Sequence, residues 1–211
     1  MAQRHDLVGL TVLALLSVRA GHPYELHRLI VDTHKDYVTG LPRSLYHAVE
    51  RLARDELITP SATAREGRRP ERTVYEITAE GRQELATRLR RLLERPDPDR
   101  RVLVAGVSLI GALPVPEARR ALRIRAAALE AAVGGLDAHL ASMADNGLPE
   151  VLALELEYER AVQAAELAWV RGVLERLESG ALDWPDTVKQ SLLERASEGG
   201  GHEPRGQEAD H

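Results

Sequence analysis

Cysteine is missing from all 211 residues, which excludes disulfides, thiol nucleophiles and cysteine-based zinc sites. Phenylalanine is missing too, and aromatic residues make up only 3% of the chain. The core must therefore be built from Leu, Val, Ile and Ala. Alanine and leucine are strong helix formers, so the composition favours an α-rich architecture. Lysine is nearly absent: of 28 basic residues, all but Lys35 and Lys189 are arginine. A GC-rich coding sequence accounts for that bias, although each arginine also offers a planar fork to phosphate or carboxylate. Long apolar runs are lacking as well. The longest, Leu7 to Val18, is broken by Gly9, Thr11 and Ser17 and falls short of the ~20 residues that cross a bilayer. It also lacks the flanking signals of an export peptide. With 44% hydrophobic and 29% charged residues, the chain has the balance of a soluble, cytoplasmic protein without a membrane partner.

The groups that carry catalysis are equally scarce. None of the eight histidines forms an i, i+4 pair around a glutamate, and neither a phosphate-cradling glycine loop nor a Gly-x-Ser-x-Gly elbow occurs. Glu155, Glu157 and Glu159 are dense, but with Arg160 beside them they form a solvated helix face. The expectation is a protein that is not an enzyme, with no catalytic residue, metal or cofactor.

The net charge of −5 conceals a division. Residues 1–95 hold 16 basic and 13 acidic side chains, whereas residues 96–211 hold 12 and 20. Such asymmetry fits one half that faces phosphate and another that avoids it. The change falls at Arg95-Pro96-Asp97-Pro98-Asp99-Arg100, whose prolines suit a helix stop and linker. Three segments are expected: 1–95, 96–184, and a polar tail at 185–211 whose composition lacks the apolar content to fold.

Within the first segment, Asp6 caps a helix from Leu7 to about Val18. Pro23 suits the first turn of a second helix, from Tyr24 to about Thr33. A third helix follows Gly40-Leu41-Pro42, with Leu45, Val49, Leu52 and Ala53 on its buried stripe. Ile58-Thr59-Pro60 and the alternating Thr73–Thr78 then read as two strands around an arginine-rich tip. A fourth helix, Ala79 to about Glu94, is capped by Thr78. Three helices followed by a basic hairpin is the order of a winged helix-turn-helix, which lays one helix in the major groove and the wing along the backbone. The third helix carries Arg43, Ser44, Tyr46, His47 and Arg51 on its outer side, and the wing carries Arg65, Arg68, Arg69 and Arg72. A solvated face, with Arg43, Arg51 and Arg54 paired to Glu50 and Asp55, is the plainer reading of the first patch. Both patches nevertheless fall where this fold meets DNA.

Leu10-Thr11-Val12-Leu13-Ala14-Leu15-Leu16, Pro23-Tyr24-Glu25-Leu26, Ser44-Leu45-Tyr46, Leu52, Leu57-Ile58 and Tyr75-Glu76-Ile77-Thr78-Ala79-Glu80-Gly81-Arg82 together resemble the PadR family of bacterial transcriptional regulators. The resemblance covers nearly all of residues 5–90. It implies a DNA-binding role for Tyr24 and the outer face of the third helix, and a helical second half that dimerises and helps form an effector pocket. Three positions depart from the family pattern. Pro23 stands where glycine commonly precedes the Tyr-Glu pair, Arg43 where glycine is usual at the head of the third helix, and Glu56 where glycine often precedes Leu57-Ile58. A left-handed helix end at Glu56 would be strained.

In the second half, Pro114 and Pro116 precede a helix from Glu117 to about Met143. Leu122, Ala126, Leu129, Val133, Leu136, Leu140 and Met143 lie along it at heptad spacing. Gly134-Gly135 costs about 2 kcal/mol relative to alanine, so a bend or a close helix contact is expected there. The next helix runs from Pro149 to about Glu178. One of its stripes reads Leu154, Tyr158, Ala161, Ala165, Ala168 and Gly172, and another reads Leu167, Val170, Leu174 and Leu177. A helix apolar on two faces needs two neighbours, and the second is expected to be another copy of the chain. Leu154, Ala161, Ala165, Ala168, Gly172 and Leu174 are the candidate dimer contacts. The alternative is a monomer whose Val102–Leu113 segment fills the second face. Tyr158 and Trp169 are candidates to stack on a small hydrophobic or aromatic effector.

The expected protein is mainly α with a small β-wing, an N-terminal winged helix-turn-helix joined to a C-terminal helical unit. Its partners are double-stranded DNA, a second copy of itself and a small effector. The function this implies is a ligand-responsive repressor on a palindromic operator. An activator, or a helical adapter using the winged helix to bind protein, is the alternative.

Overall fold

The chain is described by a computed structural model that covers residues 5–64 and 72–184. Seven α-helices and a two-stranded antiparallel sheet follow one another in it. The first three helices are α1 (Leu7–Val18), α2 (Pro23–Asp32) and α3 (Arg43–Arg54). Asp6 caps α1 as expected, its Oδ1 accepting the Gly9 amide at 3.0 Å. His22 caps α2: its Nδ1 accepts the Tyr24 amide at 3.1 Å while Glu25 accepts the His22 amide at 3.1 Å. Strand β1 (Ile58–Ala64) pairs with β2 (Arg72–Ile77), with Ile58 opposite Ile77 and a bulge between Pro60 and Ala62. Gly21 adds a bridge to Tyr75, its amide and carbonyl exchanging bonds of 3.0 and 3.1 Å. The turn between α1 and α2 is thereby fastened to the sheet.

Helix α4 (Ala79–Glu94) starts under the junction of α3 and β1. Thr78 caps it by accepting the Gly81 amide at 3.0 Å. A side chain at Gly81 would place its Cβ 2.0 Å from the Leu57 carbonyl oxygen, so only glycine allows this approach. Helix α3 ends in a Schellman motif, with Leu57 N–H donating to Leu52 O at 2.9 Å and Glu56 N–H to Ala53 O at 3.2 Å. Glu56, at the left-handed position of that motif, has φ of 57°.

Helix α5 (Arg100–Ser108), capped by Asp99, packs on α4 and leads through a 3₁₀ turn at Ile110–Ala112. Helices α6 (Val115–Asp145) and α7 (Leu154–Glu178) form an antiparallel hairpin. Ion pairs Arg123–Glu178, Arg171–Glu130 and Arg160–Asp137 run along it. Pro149 opens a short 3₁₀ turn at Glu150–Leu152 rather than α7 itself. Helix α6 runs unbroken through Gly134 and Gly135, where an added Cβ would meet nothing within 4 Å. The chain on its own thus shows no close helix contact at that pair. One hydrophobic cluster extends from Leu10 of α1 through Leu89 and Leu122 to Leu177 of α7, so the sheet side and the hairpin share a core. The segment 185–211 expected to be a polar tail lies outside the described residues.

Candidate nucleic-acid interface

Helix α3 buries Leu45, Ala48, Val49 and Leu52. At 100° per residue, Arg43, His47, Glu50 and Arg54 then centre the opposite face, and all four are exposed. Tyr46 flanks that face and is 44% exposed; Tyr24, in the first turn of α2, is 54% exposed. Large exposed rings need a reason in so aromatic-poor a chain. Arg43 Nε donates to His47 Nε2 at 3.3 Å, and His47 Nδ1 lies 3.7 Å from Glu50 Oε2. This string of polar groups offers donors and acceptors of the kind that pair with base edges.

Two of the sequence-expected contacts have local partners. Ser44 is half-buried, and its hydroxyl donates to Thr39 O at 2.9 Å, closing the turn before α3. Arg51 stands at the edge of the exposed face and pairs with Asp6, whose Oδ2 also lies 3.6 Å from Arg88. Its guanidinium therefore ties α3 to the start of α1 and to α4. Arg65, Arg68 and Arg69 of the wing tip lie outside the described residues, and Arg72 is described only as a residue of β2.

The stripes of α7 separate cleanly. Leu154, Tyr158, Ala161, Ala165, Ala168 and Trp169 are exposed and Gly172 is half-buried, with nothing within 4 Å of where its Cβ would be. Leu167, Val170, Val173, Leu174 and Leu177 are buried against the chain's own core. Leu174 sits about 160–180° around the helix from the exposed stripe. It belongs to that core rather than to the outer face with which it was grouped. Helix α6 carries a matching exposed ridge of Ile124, Ala127, Ala128, Ala131, Gly134, Gly135 and Ala138. Helix α5 packs on α4, and the outer stripe of α7 is left exposed in the single chain.

Tyr158 and Trp169, the candidates to stack on an effector, stand exposed at 72% and 46%. A cavity of about 360 Å³ lies between α1, the end of α2, the 3₁₀ turn after α5 and the stretch after α7. Leu15, Leu29, Ile110, Leu182 and Trp184 give it apolar walls, and the Trp184 indole N–H donates to Leu113 O at 2.8 Å. Ser17, Thr33, Ser108, Asp183 and Lys35 give it a polar part, in which Lys35 Nζ donates to Ser108 Oγ at 2.8 Å. Burial lowers the Lys35 pKa because a low-dielectric wall disfavours the ammonium. Beside it, burial raises the pKa of the Tyr37 phenol, and the Ser108 and Thr11 hydroxyls pull it partly back. The Tyr37 hydroxyl is nonetheless without a well-aligned hydrogen bond. These residues are scattered from Ala14 to Trp184, and no motif joins them.

Three helices, a paired wing and an exposed face on α3 have the arrangement of a winged helix-turn-helix fold. Residues 12–87 match the model of the transcriptional regulator PadR-like family. No curated protein matches the chain in sequence. Among solved structures, Bacillus subtilis PadR in complex with operator DNA is 18% identical, with a TM-score of 0.41, covering 83% of this chain and 99% of that one. A PadR-like transcriptional regulator from Bacillus cereus is 18% identical, with a TM-score of 0.35 and coverage of 82% and 99%. Bacillus subtilis PadR in complex with p-coumaric acid is 16% identical, with a TM-score of 0.37 and coverage of 82% and 99%. Among the described residues, no helix is long and apolar enough to cross a membrane.

Proposed function

We propose that the chain is a ligand-responsive repressor that binds a palindromic operator as a homodimer. In this reading residues 1–95 are the reader and residues 96–184 form the dimerisation and effector unit. The observation that carries it is the exposed stripe of small and apolar residues on α7, facing outward beside the Gly134–Gly135 ridge of α6. Alanine and glycine let two backbones approach closely, and an apolar stripe of this length is covered most simply by its own symmetry mate. A two-fold pair would present two α3 helices to successive turns of the major groove, which requires a palindromic site. Gly134 and Gly135 then lie on a surface that a second copy covers, which supplies the close helix contact that the single chain lacks.

Arg43 and His47, with Tyr46 and Tyr24 beside them, read the operator in this proposal, while the wing arginines hold phosphates. Arg68→Ala is accordingly expected to weaken all sequences alike and to flatten the salt slope by about one unit. A change in the preferred sequence would contradict that role. The cavity beside Trp184 is the effector site. Its apolar walls suit a small hydrophobic or aromatic molecule, and the Lys35–Ser108 pair suits an anionic group held away from the Asp183 carboxylate that also lines the cavity. Effector binding represses or releases DNA only to the extent that it prefers one arrangement of the two readers. p-Coumaric acid is the first probe to titrate.

The test is a mobility-shift titration of the full chain against the DNA upstream of its own gene, with scrambled competitor, near physiological salt. A discrete complex that survives competitor and weakens steeply as salt rises supports specific operator binding. Equal loss to scrambled DNA would reduce the interaction to charge. No complex even at low salt would contradict the reading and turn attention to a protein partner for the winged helix.

A further inference from the structure

The largest fully buried side chain in the described chain is a charged one, Arg125 of α6. Its Nη1 donates to Arg95 O at 2.8 Å and to Leu92 O at 3.2 Å, carbonyls at the end of α4. Its Nε donates to Glu166 Oε1 of α7 at 2.6 Å. One guanidinium thus joins three helices. A helix C-terminus leaves its last carbonyls without partners and carries partial negative charge, so a buried cation there is favourable. The same cation would be strongly destabilising without its carboxylate. The fork geometry also matters, since one face of the guanidinium serves Glu166 while the other caps α4.

The position of this joint gives it a consequence for DNA. Helix α4 is a rod of 16 residues, about 24 Å long at 1.5 Å per residue. Its first turn is locked to the end of the reader helix, where Gly81 lies under the Leu57 carbonyl and Thr78 N–H donates to Leu57 O at 3.1 Å. Its last turn is locked by Arg125 to α6 and α7. The direction in which the reader helix points, relative to the exposed stripe of α7, is therefore set at the two ends of one rigid element. A rotation of a few degrees at the Arg125 end is carried along the rod to α3.

We propose that Arg125, held by Glu166, is a positioning residue for operator recognition: it fixes the angle between reader and hairpin, and so the half-site spacing that a dimer accepts. This rests on the homodimeric reading above. The test uses the full chain and the palindrome that it selects from random double-stranded DNA, together with versions of that palindrome having one base pair added or removed at the centre. The wild-type chain is expected to discriminate against both altered spacings. Glu166→Gln, which leaves the DNA-facing surface untouched, is expected to keep its helical content and dimer mass while that discrimination falls at least about fivefold, the low end of a coupling between distant sites. A variant that merely melts earlier and discriminates as the wild type does would overturn the proposal, leaving Arg125 a structural plug. A wild-type chain that binds no palindrome, or binds as a monomer, would overturn the dimeric reading and this proposal with it. Should Glu166→Gln fail to fold, Arg125→Gln/Glu166→Gln, which removes both charges together, is measured against the same outcomes.

Discussion

Glu56 shows how one residue can be out of place and still be tolerated. A non-glycine side chain at φ of 57° costs about 1–2 kcal/mol, and the two backbone bonds of the Schellman motif hold it there. Glu56→Gly is expected to raise stability by about 1 kcal/mol, a rise of about 2–4 °C in Tm for a chain of this size. Glu56→Ala is the control in thermal melts: equal stabilisation by alanine would assign the effect to charge instead of backbone. Arg43 and Arg51 are expected to part company. Arg43→Ala should weaken operator binding by about 1–3 kcal/mol if it meets a base edge. Arg51→Ala should instead cost about 0.5–1 kcal/mol of stability, since its pair with Asp6 is partly solvated. A double-mutant cycle with Asp6→Asn checks that coupling, and additivity would refute it. The strain at Glu56 was readable because helix ends are local. The partner of Arg51 was not, because Asp6 lies 45 residues away and either orientation satisfies the helical period.

Element by element, the order and caps of α1 to α4 follow from local signals: Asp6, Pro23 and Thr78 each stand where a helix must begin. Hydrophobic period located the two stripes of α7, although Leu174 belongs to the inward one. Arg125 was missed, although it shares a face with Leu122 and Leu129 at spacings of three and four. A charge on that stripe was the available sign of a buried joint. What period cannot supply is the neighbour, and so neither the packing of α5 on α4 nor the cavity beside Lys35 could be read from spacing. Gly81 provides a sharp test at this scale. Gly81→Ala forces its Cβ against the Leu57 carbonyl and the Ile77 side chain, and overpacking of this kind costs about 1–3 kcal/mol or more. Chemical denaturation should show that loss, and a neutral substitution would mean that α4 can slide away from α3.

For the whole molecule, the decisive surface is the outer stripe of α7. Ala165→Glu places a charge on it without touching the core. The variant is expected to sediment as a monomer with unchanged helical content. Its operator affinity should fall by about 100-fold or more, because two linked readers gain about 10²–10⁴ over one. A dimer that survives this change would move the interface elsewhere.

The chain's two tryptophans are divided between the two events proposed for it. Trp169 stands on the outer stripe of α7, and Trp184 is hydrogen-bonded at the rim of the cavity. Indole emission moves to shorter wavelength as water is stripped from the ring, so the first residue is an optical gauge of pairing and the second of occupancy. Trp169→Phe leaves only the cavity gauge, and Trp184→Phe only the pairing gauge. The unlabelled protein would then report self-association and small-molecule uptake as two separate colour shifts.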